Sequence, residues 1–223
     1  MHPQGRSFRA SLCVLSWCSG SALLSPELHG QGAINFNTRA ASDNPAPVIA
    51  PIYGPGDPAF TPLHGNATTN GGSMVYNGSL LSGTGFTAQL WAAPASQGAG
   101  ALMPLATTTM RPSGSLAGFV IPPIIAPTVP GAPGGTQVIF DLRVWDNHNG
   151  TVTSWAMVMA DLFNVLHGSS GAFTTGVADL PNTPPNLVGL TSFNLFCVPE
   201  PGLTSLAVAG GMVLLMRRFL TSL

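Results

Sequence analysis

The stretch TQVIFDLRVWD, residues 136–146, alternates more regularly than any other part of the chain. On an extended backbone Val138, Phe140, Leu142 and Val144 fall on one side, and Gln137, Ile139, Asp141, Arg143 and Trp145 on the other. Four apolar side chains in one row need a core to face, so this strand anchors the fold. The stretch GFTAQLWAA (85–93) repeats the pattern, with Phe86, Ala88 and Leu90 opposite Thr87, Gln89 and Trp91. Shorter stretches read the same way: AINFNTRA (33–40), PVIAPIYG (47–54), GSMVYNGS (72–79), LAGFVIPP (116–123) and LVGLTSFNLF (187–196). Turn chemistry separates them, as in YGPGDP (53–58), TNGG (69–72), APGG (132–135) and DNHNG (146–150). The segment TSWAMVMADLFNVLHG (153–168) fits a helix of about three turns capped at Gly168, or a strand SWAMVMA followed by a loop; we prefer a short helix or a half-ordered crossing segment.

Composition points the same way. Charged residues are 7% of the chain against roughly 25% in ordinary soluble domains, while hydrophobic residues reach 45%. The 27 glycines and 21 prolines suit loops and strand edges and argue against a helical bundle. The expected fold is therefore all-β: a two-sheet antiparallel β-sandwich of roughly seven to nine strands, jelly-roll-like, because a single sheet of that size would leave an apolar face wet.

The two ends read differently. Arg6 and Arg9 precede the apolar SLCVLSWCSGSALL (11–24), the order of a secretory signal peptide with cleavage after Gly30 or Gly32. Removing it takes Cys13 and Cys18 and leaves Cys197 alone, so no intramolecular disulfide is expected. At the other end, CVPEPGLTSLAVAGGMVLLMRRFLTSL (197–223) sets Glu200 between Pro199 and Pro201, then an apolar run from Leu203 to Met216, then Arg217 and Arg218. The run predicts a hydrophobic transmembrane-type helix, with the arginines as a stop on the cytoplasmic side. The expected organisation is a signal peptide at 1–30, a β-sandwich domain at 31–196 and a sorting and anchor segment at 197–223.

That tail resembles the PEP-CTERM sorting signal of Gram-negative bacteria. The resemblance implies that an exosortase, a membrane cysteine transpeptidase, acts at the sorting motif Pro199, Glu200 and Pro201. It also implies that Arg217 and Arg218 form the basic end of the membrane segment. The body, in INFNTRA, APIYGPG, GFTAQLWAAP, VWDNHNGTVTSWA and PPNLVGLTSFNL, is similar to small exported PEP-CTERM proteins of Verrucomicrobia-type bacteria. From these come expectations of location and architecture: export across the inner membrane, transient anchoring by the C-terminus, then a cell-surface or extracellular place. The expected partners are the exosortase, the secretion machinery and exopolysaccharide.

The body itself is poor in catalytic pattern. It has no HExxH, phosphate loop or GxSxG, and no glutamate between Gly30 and Glu200. His64, His148 and His167 lie in three separate segments. Three arginines oppose six aspartates between residues 31 and 199, and no basic stripe exists for a phosphate backbone, so nucleic acid is not an expected partner. The expectation is a non-enzymatic protein without cofactor, with a carbohydrate-binding module as the first alternative and a hydrolase with an unrecognised site as the last. Two binding readings stay open. Tyr53, Trp91, Trp145 and Trp155 could stack on sugar rings, or could fill the rim of the fold. The oxygen-rich Asp146–Gly150 turn could take calcium, or could simply be an Asx turn, which we prefer.

Overall fold

A computed structural model describes residues 31–199 except 42, 44, 45, 57 and 67–73. Its strands are β1 (Arg39–Ala40), β2 (Val48–Ile49), β3 (Ile52–Tyr53), β4 (Phe86–Pro94), β5 (Met103–Thr109), β6 (Gln137–Asp146), β7 (His167–Ser169), β8 (Phe173–Gly176) and β9 (Phe193–Asn194). One α-helix, α1 (Trp155–Ala160), lies between β6 and β7, after a 3-10 turn at His148–Gly150.

The two best alternating stretches form the centre of the main sheet. β4 and β6 pair antiparallel from Phe86↔Asp146 to Pro94↔Val138. The sheet runs β5-β4-β6-β7, and β8 shares the outer edge of β6 with β7. The inward row of β6 is wholly buried at Val138, Phe140, Leu142 and Val144, and it meets Ala88, Leu90 and Ala92 of β4 in the main core. Burying side chains of this size contributes roughly 1.5–3 kcal/mol each.

The second sheet of the expected sandwich does not form. The architecture is mixed α/β, with open sheets that neither close into a barrel nor stack as a sandwich. The main core is covered instead by short irregular segments carrying Ile34, Phe36, Ala50, Leu81, Val120 and Leu187. Their pairing stops after two residues, in the antiparallel pair β1–β2 and the parallel pair β3–β9, or shrinks to single bridges such as Ala33↔Ala178 and Met110↔Val120. The reason lies in the prolines. Pro47, Pro51 and Pro55 flank β2 and β3, and Pro122, Pro123 and Pro127 interrupt the stretch after Val120. Each removes a ladder donor, so these stretches bury apolar side chains without sustaining a sheet.

Side chains supply what the ladder cannot. Asn186 accepts from the Asn35 amide (2.8 Å) and donates to the Ala46 carbonyl (2.9 Å). Asn194 accepts from Leu63 N (2.7 Å) and donates to Thr61 O (3.0 Å), and Thr38 Oγ1 accepts from Val120 N (3.1 Å). All three residues are buried. Their bonds satisfy backbone groups that would otherwise be stranded.

The helix forms, but shorter than its pattern suggests. Ser154 Oγ accepts from Met157 N at its start, and the helix ends at Asp161. Gly168 is no helix cap; it lies in β7, where a Cβ would stand 2.5 Å from Asn194 O. Among the described residues no helix is long and apolar enough to cross a membrane. The transmembrane-type helix expected at 203–216, like the signal segment 1–30, falls outside the described residues.

Candidate functional site

The outward face of β6 carries the polar and aromatic side chains that the core does not take. Arg143 Nε lies 2.7 Å from Asp141 Oδ2, and Ser169 Oγ, from the neighbouring β7, donates to Asp141 Oδ1. Register explains the trio: Arg143 lies opposite Ser169, and Asp141 is two residues along on the same face. The guanidinium carbon sits 4.0 Å from the centre of the Trp91 ring and 5.3 Å from that of Trp155, so one cation bridges two indoles. Trp91 Nε1 donates to Gln89 Oε1 (2.9 Å), whose amide donates to Thr107 Oγ1 (3.0 Å).

The segment from α1 to β7 covers one end of this face. Trp145, Val152, Val158 and Val165 form a second small core beneath it. Trp155 meets Trp145 edge-on with ring centres 6.0 Å apart, and His167 in a similar T-shape at 6.0 Å. His167 in turn lies 4.8 Å from Phe196. The result is a continuous line of Trp91, Arg143, Trp155, His167 and Phe196. Beside it opens a groove of about 460 Å³, walled by Trp155, Met159, Leu162 and Phe196, with His64 and His167 also lining it.

The structure separates the four sugar-stacking candidates. Trp145 is 0% exposed and donates from Nε1 to Val152 O (2.9 Å), so it presents no face to a ligand. Arg143 already occupies a face of Trp91. Tyr53 stacks on Tyr76 with centres 4.2 Å apart and planes 2° from parallel. Burial pushes the Tyr53 phenol up; burial, and then the neighbouring Tyr53, push Tyr76 up to about 12. Tyr76 Oη is held by the carbonyls of Gly65 and Ser192. Only Trp155 lines the groove.

The Asp146–Gly150 turn engages its polar groups with the protein itself, and Asn147 Nδ2 donates to Thr84 O (2.8 Å). Asp146 Oδ1 accepts from His148 N (2.8 Å), and Asn147 Oδ1 from Gly150 N (3.1 Å). His148 and Asn149 both take positive φ, 47° and 57°, a conformation that turn-forming side chains tolerate. Among the described residues no three His, Cys, Asp or Glu side chains gather as a metal site. Of the sorting residues, Pro199 is exposed, while Glu200, Pro201, Arg217 and Arg218 lie outside the described residues.

His64, His167 and Phe196 were not legible as a group. They come from three distant segments that meet because β7 and β9 approach and His167 exchanges backbone hydrogen bonds with Phe196 (3.0 and 2.9 Å). Reading VLHGSS as a strand, with His167 and Ser169 on one face, was the signal that could have found half of it. No family model, curated protein or solved structure matches the chain.

Proposed function

We propose that this is an exported bacterial surface or matrix protein, sorted through its C-terminal Pro-Glu-Pro motif, with a body that acts by binding and not by catalysis. The supporting observation is where the body ends. Cys197 N donates to Ala59 O (3.4 Å) and Val198 N to Leu162 O (3.2 Å), and the next residue, Pro199, is exposed and has no N–H to give. Among the described residues, the motif thus starts one residue past the last backbone bond to the body. A segment with two prolines favours an extended course, which suits entry into a transpeptidase groove. In this reading residues 1–30 direct export. The apolar run 203–216 and the charges of Arg217 and Arg218 hold the chain at the membrane until an exosortase acts near Glu200. Exopolysaccharide is the partner that this reading proposes for the body.

The test is Glu200→Ala, read by immunoblot of membrane and exported fractions from the bacterial host. Full-length chain should accumulate in the membrane fraction. With Arg217 and Arg218 both replaced by Ser, unprocessed chain should appear in the soluble exported fraction. If the Glu200 variant is trimmed and released at the normal rate, the sorting reading is wrong.

A further inference from the structure

We infer that the groove beside α1 is a binding site for an uncharged aromatic alcohol: a phenol-like ring whose hydroxyl donates to His167 Nε2. The inference begins with one hydrogen bond. His167 is 6% exposed, and its Nδ1 lies 2.8 Å from Val165 O. A carbonyl can only accept, so Nδ1 carries the proton; the other tautomer would set two lone pairs against each other. In the neutral ring Nε2 is then a bare acceptor. Among the described residues it has no hydrogen-bond partner, although its residue lines the groove. An acceptor that opens on a groove whose other walls are mostly apolar favours a ligand with a single donor.

The rest of the lining sets the shape of that donor's carrier. Trp155, Met159, Leu162 and Phe196 supply flat and flexible apolar surface. The volume of about 460 Å³ falls in the range of small-molecule sites. Polar capacity is small. Ser169 Oγ already donates to Asp141 and accepts from Gly171 N (3.0 Å), which leaves it one lone pair. His64 stands exposed at the rim. A pyranose brings about four or five hydroxyls and would strand most of them against these walls, at a cost for each. An aryl group with a single hydroxyl fits the count. Arg143, paired with Asp141 behind Trp155, has its charge compensated and does not call for an anionic ligand.

The experiment titrates the full chain with 4-propylphenol, with 4-propylanisole and with methyl β-glucoside, by calorimetry and by the fluorescence of the tryptophans. The anisole keeps the shape of the phenol but has no donor. The phenol should bind with Kd on the order of 0.1–1 mM, the anisole about tenfold more weakly, and the glucoside not at all. His167→Asn keeps a donor for Val165 O and removes Nε2, so phenol and anisole should bind alike; His167→Gln, which places an acceptor near the Nε2 position, should recover the preference. Met159 is 53% exposed, so Met159→Trp fills the groove from a position that the fold tolerates, and it should abolish both titrations. If the histidine variants fail to fold, the phenol–anisole ratio and Met159→Trp still decide. Equal affinity of the wild type for phenol and anisole, no binding of either, preferential binding of the glucoside, or binding that survives Met159→Trp would each overturn the inference.

Discussion

Replacing Asp141 by Ala removes the only carboxylate that meets Arg143 among the described residues. The side chains of Arg143 and Asp141 are 19% and 8% exposed, at 2.7 Å. Removing one partner of a fully buried pair costs about 3–5 kcal/mol, while an exposed pair is worth about 0–1 kcal/mol. A guanidinium that keeps a fifth of its surface in water falls between these, so the expected loss is roughly 2–3 kcal/mol. Part of it is the Ser169 hydroxyl, which loses its acceptor. For a body of this size that lowers Tm by roughly 5–10 °C. Arg143→Met keeps an apolar stem over Trp91 and leaves no unpaired cation, so it should cost less, about 1 kcal/mol. The double variant should then lose clearly less than the sum of the two, with a coupling of about 1 kcal/mol or more. Urea unfolding followed by tryptophan fluorescence measures all three variants. A loss below about 0.5 kcal/mol for Asp141→Ala, or strict additivity, would show that this trio is a surface ornament and not a support of the sheet.

Three other outcomes follow from the geometry. Gly168→Ala should destabilise by about 2 kcal/mol or more in urea melts, because its Cβ would stand 2.5 Å from Asn194 O where β7 meets β9. Gly100→Ala, with nothing within 4 Å and no positive φ, should be neutral or stabilise by up to about 1 kcal/mol. The chain has only two tyrosines, so the tyrosinate absorbance should stay low until well above pH 10, with a last step near 12 from Tyr76. Both folded values lie above the unfolded value, so the stability they contribute is fully present below about pH 10 and is lost as pH rises through the folded values; chemical denaturation across that window should show it fall.

Strand alternation revealed β4 and β6 and their inward rows because strands of nine and ten residues leave little choice of face. It did not reveal what would cover them. PVIAPIYG and LAGFVIPP alternate like strands, yet their prolines limit them to two-residue pairs or a single bridge. Apolar periodicity reports burial, and ladder formation also needs donors. Trp145 shows a second limit. Its position on the outward face was read correctly, but exposure did not follow, since α1 returns over that face and buries it completely. The groove was the least legible part. His167 takes its place from β7, only three residues long, and Phe196 from the segment just after β9.

The central proposal is that the chain reaches the cell surface after losing both ends, and the intact mass of the protein recovered from its native host tests it directly. The account predicts a first residue near Gln31 or Ala33 and a last residue at or near Pro199-Glu200-Pro201. Recovery of the exported protein with Met1 and Leu223 both present would contradict it.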